Sequence, residues 1–129
     1  MASTCDRLAR IIGGTAQVSN GVCVVSRLRN INATILDRRT QSPLSLPFAL
    51  SFENPKNGKT LNLGETVILQ KEINPFISEL RKRGILVTAL HNHWLFDEPR
   101  LMYIHWEKVS NPFEFARDSF EAAKEAGLL

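Results

Sequence analysis

The chain has 129 residues, 43% of them hydrophobic and 22% charged, with a formal net charge of +3. That length supports one ordinary domain spanning residues 1–129, and that composition excludes whole-chain disorder. No run approaches the roughly 18 apolar residues of a membrane span, and Met1 to Arg10 holds Asp6, Arg7 and Arg10 but no apolar stretch of signal-peptide length. Cys5 follows no apolar run, so it lacks the setting of a lipidated cysteine, and a cytoplasmic protein is expected.

The chain opens with a helical pattern over Cys5 to Ile12, with Leu8, Ile11 and Ile12 on one side, stopped by Gly13-Gly14. A β-rich stretch follows. Gly21 to Arg27 is apolar and β-branched, Asn32 to Leu36 is a shorter candidate, and Pro43 to Pro47 reads as a turn or edge segment. Phe48, Leu50 and Phe52 alternate with Ala49, Ser51 and Glu53, and Asn54 to Gly58 is a turn signal. Lys59 to Gln70 gives one or two strands interrupted near Gly64. Asn74-Pro75 then reads as the start of a helix, with Ile73, Phe76, Ile77 and Leu80 apolar and Gly84 as its end. Strands follow over Ile85 to His93 and Leu101 to Glu107, around a loop holding Asp97, Glu98 and Pro99, in which Asp97 and Glu98 read as solvated turn residues. Asn111-Pro112 starts the last helix, with Glu114 placed as in a capping box, and Phe113, Ala116, Phe120 and Ala123 are expected to face the core. The order predicts an α+β fold, a mostly antiparallel sheet with helices packed on one face. A crossover from Glu65–Gln70 through the helix to Ile85–His93 would make the sheet mixed.

Basic residues are scattered, and the densest group, Arg81, Lys82 and Arg83, falls in the last turn of a predicted helix, where cations complement the helix dipole. With no basic stripe beside exposed aromatics and no known module, nucleic acid is not an expected partner. Cys5 and Cys23 make no CxxC spacing and no disulfide framework. Cys23 lies in an apolar strand and is expected to be a small buried hydrophobe.

All three histidines, His91, His93 and His105, lie within fifteen residues. Alternate strand residues share a face, so His91 and His93 point the same way as Val87 and Ala89, opposite Leu90 and Asn92. On the second strand Tyr103, His105 and Glu107 share a face, and Met102, Ile104 and Trp106 share the other. Closing the hairpin with His91 opposite His105 and His93 opposite Tyr103 gathers the histidines on one polar side. The other side is apolar, and Trp94 and Trp106 are both expected to pack there. Neighbouring neutral imidazoles suit zinc or another divalent transition metal, with Glu72 or Glu107 as a further ligand, an outer partner or a general base. The string His91-Asn92-His93 is not an HNH nuclease motif, which describes separated residues in a different fold.

Several segments resemble the LppY/LpqO family. They are Leu69 to Pro75, Leu80 to Gly84, Val87 to His93 (the family's "TALHNH" strand), Glu98-Pro99-Arg100, and Tyr103 to Trp106, with Asn111-Pro112 matching the start of a helical tail. The N-terminal half fits more loosely, through Val22 to Val25, Asn32 to Ile35 and Leu50 to Glu53. The resemblance implies a domain of unknown function without a settled activity. The best-known members of that family are exported lipoproteins, often with two copies of the domain, whereas this sequence shows one copy and no export signal, which raises the expectation of a homodimer. The leading expectation is a small-ligand or divalent-metal-binding domain using His91, His93 and His105, then Tyr103, Glu72 and Asn92. A metal-dependent hydrolase and a non-catalytic interaction or dimerisation module are the alternatives.

Overall fold

The computed structural model describes residues 3–129. Helix α1 (Thr4–Ile12) starts where the Ser3 side chain accepts the Asp6 N–H, and it ends at Gly13, whose φ of 69° is the left-handed conformation that closes a helix. Strands β1 (Thr15–Ser19) and β2 (Val22–Leu28) form a hairpin turned at Asn20-Gly21, both at positive φ. Strand β1 goes unread in the sequence because four of its five residues are exposed, so it carries no apolar alternation. The short strands β3 (Thr34–Ile35) and β4 (Arg38–Arg39) follow, then the long hairpin of β5 (Pro47–Lys56) and β6 (Lys59–Ile68).

Strand β6 runs through Gly64 without the expected interruption. The glycine answers a packing need instead: it lies opposite Trp106, and a Cβ there would sit inside the indole. A 3-10 turn over Gln70–Glu72 leads into helix α2 (Ile73–Lys82), so the helix begins before Asn74, and Asn74 does not cap it. Its last turn does hold Arg81 and Lys82, and Arg83 and Lys82 both pair with Glu79 at 2.9 Å, so the densest basic cluster is structural. Strand β7 (Leu86–Asn92), the short β8 (Asp97–Glu98), strand β9 (Met102–Ser110) and helix α3 (Pro112–Glu125) complete the chain. Asn111 caps α3 as expected, accepting the N–H groups of Phe113 and Glu114.

The main sheet has the order β1-β2-β5-β6-β9-β7, and a small sheet has the order β4-β3-β8. Every neighbouring pair is antiparallel. The connection from β6 through α2 to β7 does occur, but β9 lies between those strands, so the sheet is not mixed. Phe48, Leu50, Ile104 and Trp106 point to the helical side, against Leu8, Ile12, Phe76, Leu80 and Phe115. Trp106 meets Phe76 edge to face at 5.1 Å, and its N–H donates to Ser119 at 3.0 Å, which satisfies a polar atom in an otherwise apolar layer. Helix α3 packs its expected face on the core, and the buried stripe extends to Phe115, Ser119 and Ala122. Phe115, Ala116, Ser119, Ala122 and Ala123 are buried, whereas Phe113 and Phe120 are half-buried.

Cys5 and Cys23 form a disulfide between α1 and β2, with Cα atoms 5.7 Å apart, correcting the expectation of unpaired thiols. The pairing is set by α1 packing beside β2, a contact between elements that spacing alone does not encode. Among the described residues no helix is long and apolar enough to cross a membrane.

The second face of the sheet is covered only at one end. There Val67 and Tyr103 pack with Ala33, Leu46 and Leu101 in a smaller apolar cluster, joined by Trp94. Trp94 therefore lies opposite its expected side: β7 has ended at Asn92, and strand parity no longer governs it. Asp97 is likewise no solvated turn residue. Its side chain is fully buried and accepts the Leu101 N–H at 2.7 Å.

Candidate functional site

The uncovered part of the second face is built by register. Thr15 lies opposite Ser26, Ser26 opposite Ala49, Ala49 opposite Glu65, Glu65 opposite His105, and His105 opposite Ala89. Directly paired residues share a face, so this row crosses the whole sheet. Its small members leave a low floor. A cavity of about 530 Å³ at the Gly13-Gly14 end reaches Ala49 and Glu65. A second of about 300 Å³ shares those residues and reaches His105. A third of about 360 Å³ shares His105 and is lined by His91 and Glu107. The shared walls make one continuous trough that carries two carboxylates, Glu65 and Glu107, and two imidazoles.

Strands β7 and β9 pair two residues away from the expected register, with His91 opposite Tyr103 and Ala89 opposite His105. A shift of two keeps every side chain on its face, so the histidines still gather. A bulge at Thr88 separates Val87 from Ala89 in the pairing, and Val87 packs on the helical core instead of standing beside the histidines. His91 and His105 approach with their Nε2 atoms 3.1 Å apart. The rings of His91 and His93 stack at 4.7 Å, and His93 lies flat on Tyr103 at 4.2 Å with 11° between planes.

Tyr103 is a platform for this stack. It is fully buried, donates its O–H to the Ser45 carbonyl at 2.7 Å and accepts the Trp94 N–H, so the phenol's hydrogen bonds are used. Burial pushes its pKa above the ordinary tyrosine value, against a lowering by the Trp94 hydrogen bond, with Asp97 and Glu65 adding to the rise. Burial also holds His105 below the ordinary histidine value. Glu65 opposes that shift, and His91 and His93 reinforce it. The surroundings thus favour the neutral form of His105, in which each ring nitrogen either donates or accepts.

Glu72 does not join the histidines. Its two carboxylate oxygens take Nη1 and Nη2 of Arg29 at 2.9 and 2.8 Å, and Oε1 also accepts the Leu69 N–H. Arg29 in turn donates to the carbonyls of Val67 and Leu128, so the pair ties the end of β6 and the C-terminus together. Both side chains are almost fully buried. Asn92 pairs with Met102 at the end of β7, on the parity opposite the histidines, and is exposed. Glu107 shares the histidine face as expected.

The carboxylate nearest the histidines is Glu65, with Oε1 3.6 Å from His105 Nε2. Sequence reading missed it because β6 precedes the histidine hairpin and becomes its neighbour only through the strand order. Among the described residues no three His, Cys, Asp or Glu side chains stand in a ready-made metal geometry.

A family described as "Domain of Unknown Function (DUF1259)" matches residues 6–125. The chain belongs to this family. Its description carries no activity, so the site must be argued from its own atoms. No curated protein and no solved structure shows significant similarity to the chain.

Proposed function

We propose that the protein is a small-ligand-binding domain whose site is the trough centred on Glu65, His91 and His105. The carrying observation is the contact of two half-exposed imidazoles at 3.1 Å, with a carboxylate 3.6 Å away, on the floor of a continuous depression. These groups have no structural employment comparable to that of Glu72. Glu65 accepts hydrogen bonds and the imidazoles both donate and accept. Leu63, Pro47 and Leu28 supply apolar walls, the usual mixture of a small-molecule site. The occupant that fits is a small molecule with an apolar body and a hydrogen-bond-donating or cationic group over Glu65. Strands carry the polar groups, and the Tyr103 platform holds the histidine stack, so the site is set before a ligand arrives.

The test is a ligand-observed NMR screen of small polar fragments against wild type, Glu65→Gln and His105→Gln. Wild type is expected to give hits that both variants lose while remaining folded. Hits that persist unchanged in both variants, or no hits in wild type, contradict the reading.

The Cys5–Cys23 disulfide supports an oxidising compartment over the cytoplasmic setting expected from the sequence, since such bonds persist in the former and are rare in the latter. A thiol count on denatured, unreduced protein purified from its native host checks this. Zero thiols support the oxidising setting and two contradict it.

A further inference from the structure

Nε2 of His105 has two neighbours, His91 Nε2 at 3.1 Å and Glu65 Oε1 at 3.6 Å. A neutral imidazole nitrogen offers either one in-plane proton or one lone pair. If it carries the proton, it donates to His91, and Glu65 at 3.6 Å stands just beyond hydrogen-bond reach. If it carries the lone pair, it accepts from His91 and turns that lone pair toward a carboxylate. Either tautomer leaves the Glu65 carboxylate beside the imidazole pair without a hydrogen bond to it. A cation among the three groups satisfies all of them at once.

The separations point to the kind of cation. Two ligands bound at about 2.0–2.2 Å, with angles of about 90–120° at the ion, stand roughly 2.9 to 3.6 Å apart. Both separations from His105 Nε2 fall in that range. The donor set, two imidazole nitrogens and one carboxylate oxygen, is that of a divalent transition ion with open coordination positions.

We propose that Glu65, His91 and His105 hold a divalent transition metal ion, with its open positions facing the trough. The inference rests on reading this face as the ligand site, and it names the ion through which a small molecule would be held. The site closes by a turn of the Glu65 carboxylate, which is 39% exposed and has no other side-chain partner among the described residues. His93 is not a ligand in this arrangement: its ring is held between Tyr103 and His91 as a stacking wall.

The test is calorimetric titration of chelator-stripped full-length protein with zinc chloride, repeated with cobalt chloride to read the visible absorption of a bound ion. One zinc per chain is expected. Glu65→Gln, His91→Gln and His105→Gln should each weaken it by at least ~10-fold, the scale on which changes around a metal site act, while His93→Phe, which keeps the stacked ring and removes its nitrogens, stays within about twofold of wild type. Circular dichroism confirms that each variant is folded. Absence of zinc and cobalt binding in wild type overturns the proposal, as does a His93→Phe loss as large as that of Glu65→Gln, which would mark a three-imidazole site. If stripped protein binds no metal but keeps its fragment hits, the metal inference falls and the ligand site stands. If it binds neither metal nor fragments, both fall.

Discussion

The two acidic residues Glu65 and Glu72 lie near opposite ends of one connected segment and have opposite fates. Glu72 is buried in the 3-10 turn that follows β6, gripped by Arg29 through two hydrogen bonds and by the Leu69 N–H. Glu65 stands on the trough floor, half-exposed, with only an imidazole 3.6 Å away. The same contrast runs through the sheet. Its helical face satisfies its polar groups inside the fold, as Trp106 does with Ser119. Its other face keeps imidazoles and a carboxylate that meet only one another at the surface, His91 with His105 at 3.1 Å and His105 with Glu65 at 3.6 Å, so no buried group depends on them.

Breaking the buried side should have the largest effect. Arg29→Ala strands the Glu72 carboxylate without its cation and should lower unfolding free energy by about 3–5 kcal/mol. Urea denaturation measures it, and a loss below about 1 kcal/mol would mean that the pair is not the staple described. Reducing the Cys5–Cys23 disulfide comes next. Opening a loop with a sequence separation of 18 should cost about 3 kcal/mol, read from denaturation with and without reductant. The open face should respond far less. Glu65→Gln and His105→Gln should each shift unfolding free energy by no more than about 0.5 kcal/mol, and a larger loss would make them structural. The smallest effect is a pH dependence. His105 has a folded pKa below its ordinary value of about 6.5. Between the two values the unfolded state binds more protons, so stability rises with pH there. The contribution of neutral His105 is present above about pH 6.5 and is lost as pH falls toward the folded value. Denaturation midpoints from pH 7.5 to 5.5 should fall more steeply for wild type than for His105→Gln, and equal slopes would contradict the assignment.

The helices, the β5–β6 hairpin and the shared face of the three histidines were legible because each follows from local periodicity. The histidine face survived a register error, since two residues is one full period of a strand. Four features needed contacts between distant segments. The bulge at Thr88 turned Val87 to the core. The insertion of β9 between β6 and β7 placed Glu65 beside His105. Arg29 came from 43 residues away to claim Glu72. The packing of α1 beside β2 made the disulfide. A sequence shows which face a strand residue takes, but not which strand lies next to it. That gap moved the candidate carboxylate from Glu72 to Glu65.

The measurement closest to the central claim is an amide chemical-shift map of the labelled protein with its strongest fragment, or with zinc chloride. The account predicts shifts concentrated on Ala49, Glu65, Ala89, His91 and His105, with α1, α2 and α3 still. Shifts centred on the helical face, or spread evenly over the chain, would contradict it.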